Sequence, residues 1–268
     1  MHPELFTIPL PEFLQGLFGT HLTVYSYGFF IVIGAITGLS YVARESKKNF
    51  GLSFDRVNSL FLLLLLAAII GGKVFLYFED PGRYAGNLRS LLSGRGFVFY
   101  GSLLFCIPTM LWFFKKNKLA TLPMLDIMAV TTCLVHIFGR IGCFMAGCCH
   151  GIEWHGPLAV TFSDPVCLAN PLNTPLHPTQ LYSALLILLI LVTLLFIKTR
   201  KKFHGQLFLS YLILYALGRS IIEVFRGDVS RGYVIEGYVS HSQFISFLVL
   251  LGSVYFYSRL RKKPIRTD

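Results

Sequence analysis

The sequence predicts an all-α, polytopic membrane protein with seven transmembrane helices, its N-terminus outside and its C-terminus cytoplasmic. Composition is the first ground. Of 268 residues only 14% carry charge and 54% are hydrophobic, with 25 phenylalanines, and mean hydropathy is +0.63. A water-soluble domain of this length lacks the interior to hide so much apolar surface. The second ground is a set of seven apolar runs of roughly 18 to 22 residues, the length at which a helix crosses a hydrocarbon core about 30 Å thick. The third is the placing of Lys and Arg, which collect in alternate loops, as retention of positive charge on the cytoplasmic side demands.

The runs fall near residues 24–43, 57–78, 97–114, 122–143, 178–197, 206–225 and 239–258. Each is continuous, whereas a membrane β-barrel would show short alternating segments. Pro108 interrupts the third run, and His241, Ser242 and Gln243 make the start of the seventh polar, so these two carry the least apolar signal. The first loop between spans holds Arg44, Lys47, Lys48 and Arg56, and the third holds Lys115, Lys116 and Lys118. The fifth holds Lys198, Arg200, Lys201 and Lys202, and the tail holds Arg259, Arg261, Lys262, Lys263 and Arg266. The loops between carry only Arg83, Arg89, Arg95, Arg226 and Arg231, and residues 141–197 contain no Lys or Arg. The formal charge of +11 is therefore a topology signal that also suits anionic lipid headgroups, and it calls for no nucleic acid.

Residues 1–23 have no Lys or Arg and two acids, Glu4 and Glu12, so they read as a short outer cap rather than a cleavable signal peptide with a basic leading region. One integral membrane domain is expected to cover residues 1–268, with a long outer loop, residues 144–177, covering a site from outside.

Three basic residues fall in or at the ends of apolar runs: Lys73, Arg140 and Arg219. A charge at mid-bilayer costs at least about 2.5 kcal/mol, so each should face protein, water or a headgroup. All three lie in the outer halves of spans two, four and six, as does Glu223. Arg219, Glu223 and Arg226 stand at i, i+4 and i+7, one helical stripe, and the polar stretch continues to Asp228. His136, Arg140 and Cys143 repeat the spacing on span four. Two such stripes at one depth could hold a phosphate from two sides, because guanidinium offers paired donors to anionic oxygens. The alternative is a structural Arg219–Glu223 pair with Arg140 reaching to the outer surface.

Gly139, Gly142, Gly147 and Gly151, with Gly101 beside Tyr100 and the pair Gly71–Gly72, would permit either close helix packing or exposed N–H groups around a ligand. Cys143, Cys148, Cys149 and His150 invite a metal reading, but adjacent ligands strain a tetrahedral site and no second half-site exists, so no metal is expected. A disulfide among Cys148, Cys149 and Cys167 is compatible with an oxidising exterior, while Cys106 and Cys133 read as small core residues. The segment His177, Pro178, Thr179, Gln180 and Tyr182 reads as a helix start, whose Gln180 and Tyr182 could also meet ester or glycerol oxygens.

GRIG at residues 139–142 with Gly147 and Gly151, LHPTQLY at 176–182 and GRSIIEVFRG at 218–227 resemble, in order and spacing, the prolipoprotein diacylglyceryl transferase family. The resemblance implies a seven-span enzyme of the bacterial inner membrane, with its active site toward the outer leaflet. It implies transfer of an sn-1,2-diacylglyceryl group from phosphatidylglycerol to the lipobox cysteine thiol of a prolipoprotein signal peptide, with glycerol phosphate leaving. By the same resemblance Arg140 and Arg219 are the two essential arginines, Glu223 the acidic partner, and Arg226 a further arginine. Tyr27 and Gly28 match the aromatic–glycine pair near the first span. Lys73 stands where the family carries arginine in span two. Tyr100, Gly101 and Ser102 stand where many members have histidine and two glycines, which makes Tyr100 the candidate for the catalytic position there. Cys143, Ala146 and Cys148 replace polar residues, and Ser183 stands where an acid commonly ends the HPSQLYE motif.

Catalytic candidates are therefore Arg140, Arg219, Tyr100 and Glu223. Substrate-binding candidates are Tyr27, Gly28, Lys73, Gly101, His136, Gly142, Cys143, Gly147, Gly151, His177, Gln180, Tyr182 and Arg226. No cofactor is implied, and a monomer suffices. The competing classes are a transporter or lipid-binding protein for an anionic headgroup, and a related transferase with another acceptor.

Overall fold

The computed structural model describes residues 2–11, 13, 15, 20–84, 97–226, 233–235 and 238–265. Arg89, Arg95, Arg231 and Arg266 of the charge pattern, with Glu12, Gly227 and Asp228, lie outside the described residues. In chain order the elements are β1 (Glu4–Pro9), β2 (His21–Tyr25), α1 (Ser26–Phe50), α2 (Phe54–Glu79), the one-turn α3 (Pro81–Tyr84), α4 (Phe99–Lys116) and α5 (Thr121–Ala146). There follow β3 (Val160–Thr161), β4 (Pro175–Leu176), α6 (Thr179–Thr199), α7 (Gln206–Glu223), β5 (Tyr233–Ile235), β6 (Val239–Ser240) and α8 (His241–Leu260).

The architecture is all-α and polytopic, with a long helix under each of the seven apolar runs. Among the described residues, five of these, α1, α2, α5, α6 and α8, are by length and composition long and apolar enough to cross a membrane, and α4 and α7 fall short of that measure. The shortfall of α4 follows from Pro108 and from Lys115 and Lys116 in its last turn. The shortfall of α7 comes from Gln206 at its start and Arg219 and Glu223 near its end. The polar start of α8 costs that helix nothing, because Ser240 and Gln243 form a reciprocal capping box ahead of an uninterrupted apolar body. Among the described residues three antiparallel strand pairs, β1–β2, β3–β4 and β5–β6, punctuate the connections.

The chain divides into two compact units. In residues 39–124, α2 and α4 cross at backbone contact, because a Cβ on Gly71 would run into the Gly101 carbonyl and one on Gly101 into the Gly71 carbonyl. The Ser102 hydroxyl donates to the Ala68 carbonyl at 2.8 Å, and the Cys106 thiol to that of Leu64 at 3.4 Å. Phe113, Phe114 and Met124 fill the core of this unit.

The other unit comprises residues 1–38 and 125–268. Gly34 and Gly38 let α1 lie on Val135 and Phe138 of α5, and Gly218 of α7 receives Leu186 of α6. Asp126, 2% exposed, is the staple at the start of α7. Its carboxylate accepts the N–H groups of Gly205 (2.8 Å) and Phe208 (2.9 Å) and pairs with Lys201 Nζ at 2.8 Å. Gly205 reaches this position with φ +88°, a conformation that favours glycine. Asp126→Asn removes the charge and turns one acceptor into a donor facing an N–H. It should lower stability by about 1–3 kcal/mol, read as a lower thermal unfolding temperature in detergent with unchanged helix content.

Candidate active site

The last turns of α5 and α7 and the loop between α5 and α6 build the polar centre of the larger unit. On α5, Arg140 Nε donates to His136 Nε2 at 3.1 Å, one helical turn back. That nitrogen must be unprotonated to accept, so His136 is a neutral ring orienting a cation. Among the described residues no carboxylate pairs with Arg140, and its two terminal nitrogens make no hydrogen bond. The His136 ring lies 5.6 Å, centroid to centroid, from Tyr215 of α7, which stacks on Tyr211 at 5.7 Å. Arg219 follows Tyr215 by one turn, and both Arg219 and Arg140 are within electrostatic reach of His136.

On α7 the Arg219–Glu223 ion pair anticipated from the i, i+4 spacing is formed, with the two side chains only 12% and 11% exposed. Arg219 Nη2 donates to Ser242 Oγ at 3.3 Å, and Ser240 Oγ donates to Glu223 Oε1 at 3.0 Å. Arg226 Nε stands 4.0 Å from Glu223 Oε2, its side chain 3% exposed. One carboxylate is thus shared by two guanidiniums and held by the cap of α8. Sequence reasoning missed Ser240 and Ser242 as members of this cluster. The signal was present, since Ser240-His241-Ser242-Gln243 has the S-x-x-Q form of a capping box.

The loop following α5 is pinned to the start of α6. Thr179 Oγ1 donates to the Cys149 carbonyl and Gln180 Nε2 to the Cys148 carbonyl, both at 2.7 Å. Gly151 N–H donates to the His177 carbonyl at 2.8 Å, and Gly151 bridges to Arg226. A Cβ there would strike the Phe225 carbonyl, so glycine is needed for that approach. Gly147, at φ +78°, turns the chain over Cys167 and Phe162, which with Ala169 and Leu176 form the buried core of the loop. His177 is clamped between rings: Trp154 stacks on it at 4.3 Å and 6°, and its Nδ1 meets Tyr182 OH at 3.1 Å. Burial pushes the His177 imidazole below its ordinary pKa. His177, Gln180 and Tyr182 therefore hold the loop, and Gln180 Oε1 remains a buried acceptor without a hydrogen-bond partner.

Tyr27 of α1 packs its Cα and ring 3.3 Å from where a Cβ on Gly142 would lie, while Gly28 faces open space. Cys143, Cys148 and Cys149 bring their sulfurs within 4.8 Å of one another, and all six cysteines are free thiols. Cys148 Sγ donates to the Cys143 carbonyl at 3.7 Å, and Arg226 and Arg140 both lie within electrostatic reach of Cys149. The remaining candidates, Lys73, Tyr100 and Gly101, belong to the smaller unit. There Gly101 is buried in the α2–α4 crossing and Tyr100 is half exposed.

These features define a polytopic membrane protein with a buried, arginine-rich polar centre beneath a long loop. The family model for prolipoprotein diacylglyceryl transferase matches residues 15–259. A phosphatidylglycerol–prolipoprotein diacylglyceryl transferase of Clostridium tetani (strain Massachusetts / E88) is 34% identical over 250 residues, covering 92% of this chain and 97% of that relative. A second such transferase, numbered 2, of Clostridium perfringens (strain 13 / Type A) is 33% identical over 249 residues, covering 91% and 93%. The chain belongs to the prolipoprotein diacylglyceryl transferase family.

Proposed function

We propose that this protein transfers the diacylglyceryl group of phosphatidylglycerol to the lipobox cysteine of a prolipoprotein at the outer leaflet of the bacterial inner membrane. The peptide thiol loses its proton, its sulfur bonds to the glycerol carbon of the diacylglyceryl group, and the bond from that carbon to the phosphate oxygen breaks. Glycerol phosphate departs with the electron pair. The difficulty is charge on the leaving phosphate, and fixed guanidiniums in a site shielded from water stabilise it.

The observation that carries this reading is Arg140. It is a cation on an apolar helix, its Nε set by a neutral histidine and its terminal nitrogens without a protein partner among the described residues. Arg140 receives the phosphate. Arg219 is the second cation, steered by Glu223 and Ser242, and Arg226 closes the cluster beside Gly151. His136 positions Arg140 instead of taking the thiol proton, since its Nε2 lone pair is already engaged. Tyr27, Gly28, Gly142 and Cys143 line the approach of the acyl and peptide chains.

Seven membrane crossings, with the N-terminus outside and the C-terminus inside, fit this reading. The last turns of α1, α4, α6 and α8 carry Lys47 and Lys48, Lys115 and Lys116, Lys198, and Arg259 respectively. On seven alternating traverses the retention of positive charge assigns these basic ends to the cytoplasmic side and the Arg140 and Arg219 ends to the outer side.

The test is incubation of the purified protein with labelled phosphatidylglycerol and a lipobox peptide. A peptide mass gain of one diacylglyceryl group, with release of glycerol phosphate, is expected. Lipid binding without product would instead identify a headgroup carrier, and modification of a peptide with serine for the lipobox cysteine would identify a different acceptor chemistry.

A further inference from the structure

The transfer reaction takes its thiol from the peptide and uses none of the enzyme's own, yet three enzyme thiols meet beside the arginine centre. Cys143 lies on the last turn of α5, and Cys148 and Cys149 lie in the turn beyond it. Their Sγ atoms all fall within 4.8 Å of one another. Neighbouring residues in extended chain point their side chains to opposite sides, so a vicinal pair ordinarily cannot serve one centre. Here the turn escapes that limit through two left-handed residues, Gly147 at φ +78° and Cys149 at φ +61°. Left-handed backbone is uncommon for a residue with a Cβ and persists where the surroundings impose it. Those surroundings are Thr179 and Gln180, 1% and 0% exposed, whose side chains grip the Cys149 and Cys148 carbonyls.

We propose that Cys143, Cys148 and Cys149 form a three-sulfur site for one thiophilic metal ion, of the class that includes zinc(II) and copper(I). A metal about 2.3 Å from each sulfur requires sulfurs about 4 Å apart, so the trio closes with small side-chain movements. An all-sulfur set selects soft ions over magnesium, calcium or manganese. His150 is not a fourth ligand, because its Nδ1 meets the Gly151 carbonyl at 2.9 Å and its Nε2 accepts the Asn170 N–H at 3.3 Å. The fourth position is left to water or an added thiol. Each ligating thiol releases its proton on binding. The negative charge then left on the sulfurs faces Arg140 and Arg226, both within electrostatic reach of Cys149. Bound metal would tie the α5 turn that carries Arg140 to the loop held by α6.

The experiment uses the full chain in detergent, reduced and stripped by chelator under anaerobic conditions. Titration with cobalt(II) should produce a thiolate-to-metal charge-transfer band saturating at one ion per chain and displaced by one equivalent of zinc(II). A copper(I) arm, run against a competing chromophoric chelator, decides which ion is held more tightly. Cys148→Ser and Cys149→Ser should each weaken binding by more than about 100-fold, since even losing an outer-shell partner costs 10- to 100-fold. Absence of the band together with loss of all copper to the chelator overturns the proposal, as does binding unchanged in both variants. If a serine variant fails to fold, X-ray absorption of the metal-loaded parent chain decides: three sulfur neighbours are expected, and a shell of nitrogen and oxygen alone refutes the site. None of these readouts depends on transferase activity.

Discussion

Arg140→Lys should lower diacylglyceryl transfer by roughly 100- to 1000-fold, the cost of removing one donor aimed at developing charge in a site shielded from water. The substitution keeps the positive charge and removes the planar fork. Arginine can spend Nε on His136 and still present two terminal nitrogens to a phosphate, and the observed 3.1 Å contact does the first of these. Lysine has one nitrogen at the end of a flexible chain, and whichever partner it takes, the other is lost. Arg140 meets no carboxylate among the described residues, so its replacement strands no buried countercharge and the fold should persist. The check is turnover with labelled phosphatidylglycerol and lipobox peptide, alongside thermal unfolding of the same preparation. Parental turnover in a folded Arg140→Lys chain would remove Arg140 from phosphate recognition and take the proposed clamp with it.

The helices were legible in the sequence because hydropathy is a direct record of lipid contact, but their ends were not. The first apolar run stops near residue 43, whereas α1 continues through Arg44, Lys47 and Lys48 to Phe50 and is ended by Gly51 at φ +64°. Hydropathy marks where lipid ends, and a helix ends where its cap is. The Arg219–Glu223–Arg226 stripe was legible as a 3.6-residue period. The contributions of Ser240 and Ser242 were not, because they arrive from a helix that begins some twenty residues later in the chain. The cysteine cluster was read against itself: adjacent ligands strain a tetrahedral site, and the left-handed backbone at Gly147 and Cys149 that gathers the three sulfurs has no mark in the spacing. The small strand pairs left no signal either, since β3, β4 and β6 are two residues long. For the site itself, residue chemistry pointed to a candidate anion-binding centre beside a structural ion-pair alternative, and the motif resemblance supplied the reaction.

Glu223→Ala should be the most destabilising single change at the site, by about 3–5 kcal/mol, the usual penalty for breaking a buried ion pair from one side. Arg219 and Arg226 share that carboxylate at 12% and 3% side-chain exposure, and Ser240 loses the acceptor that ties α8 to α7. Loss of activity in this variant would not by itself separate chemistry from collapse. The double substitution Arg219→Met with Glu223→Leu does separate them, because exchanging a buried ion pair for apolar side chains of similar volume is often neutral. Its unfolding temperature in detergent should recover part of the way toward that of the parent, since Arg226 still loses the carboxylate it shared, while transfer stays at the level of the Arg219→Met single variant. If stability and transfer returned together, Arg219 and Glu223 would be scaffold alone, and the phosphate would have to be held by Arg140 with a partner other than Arg219.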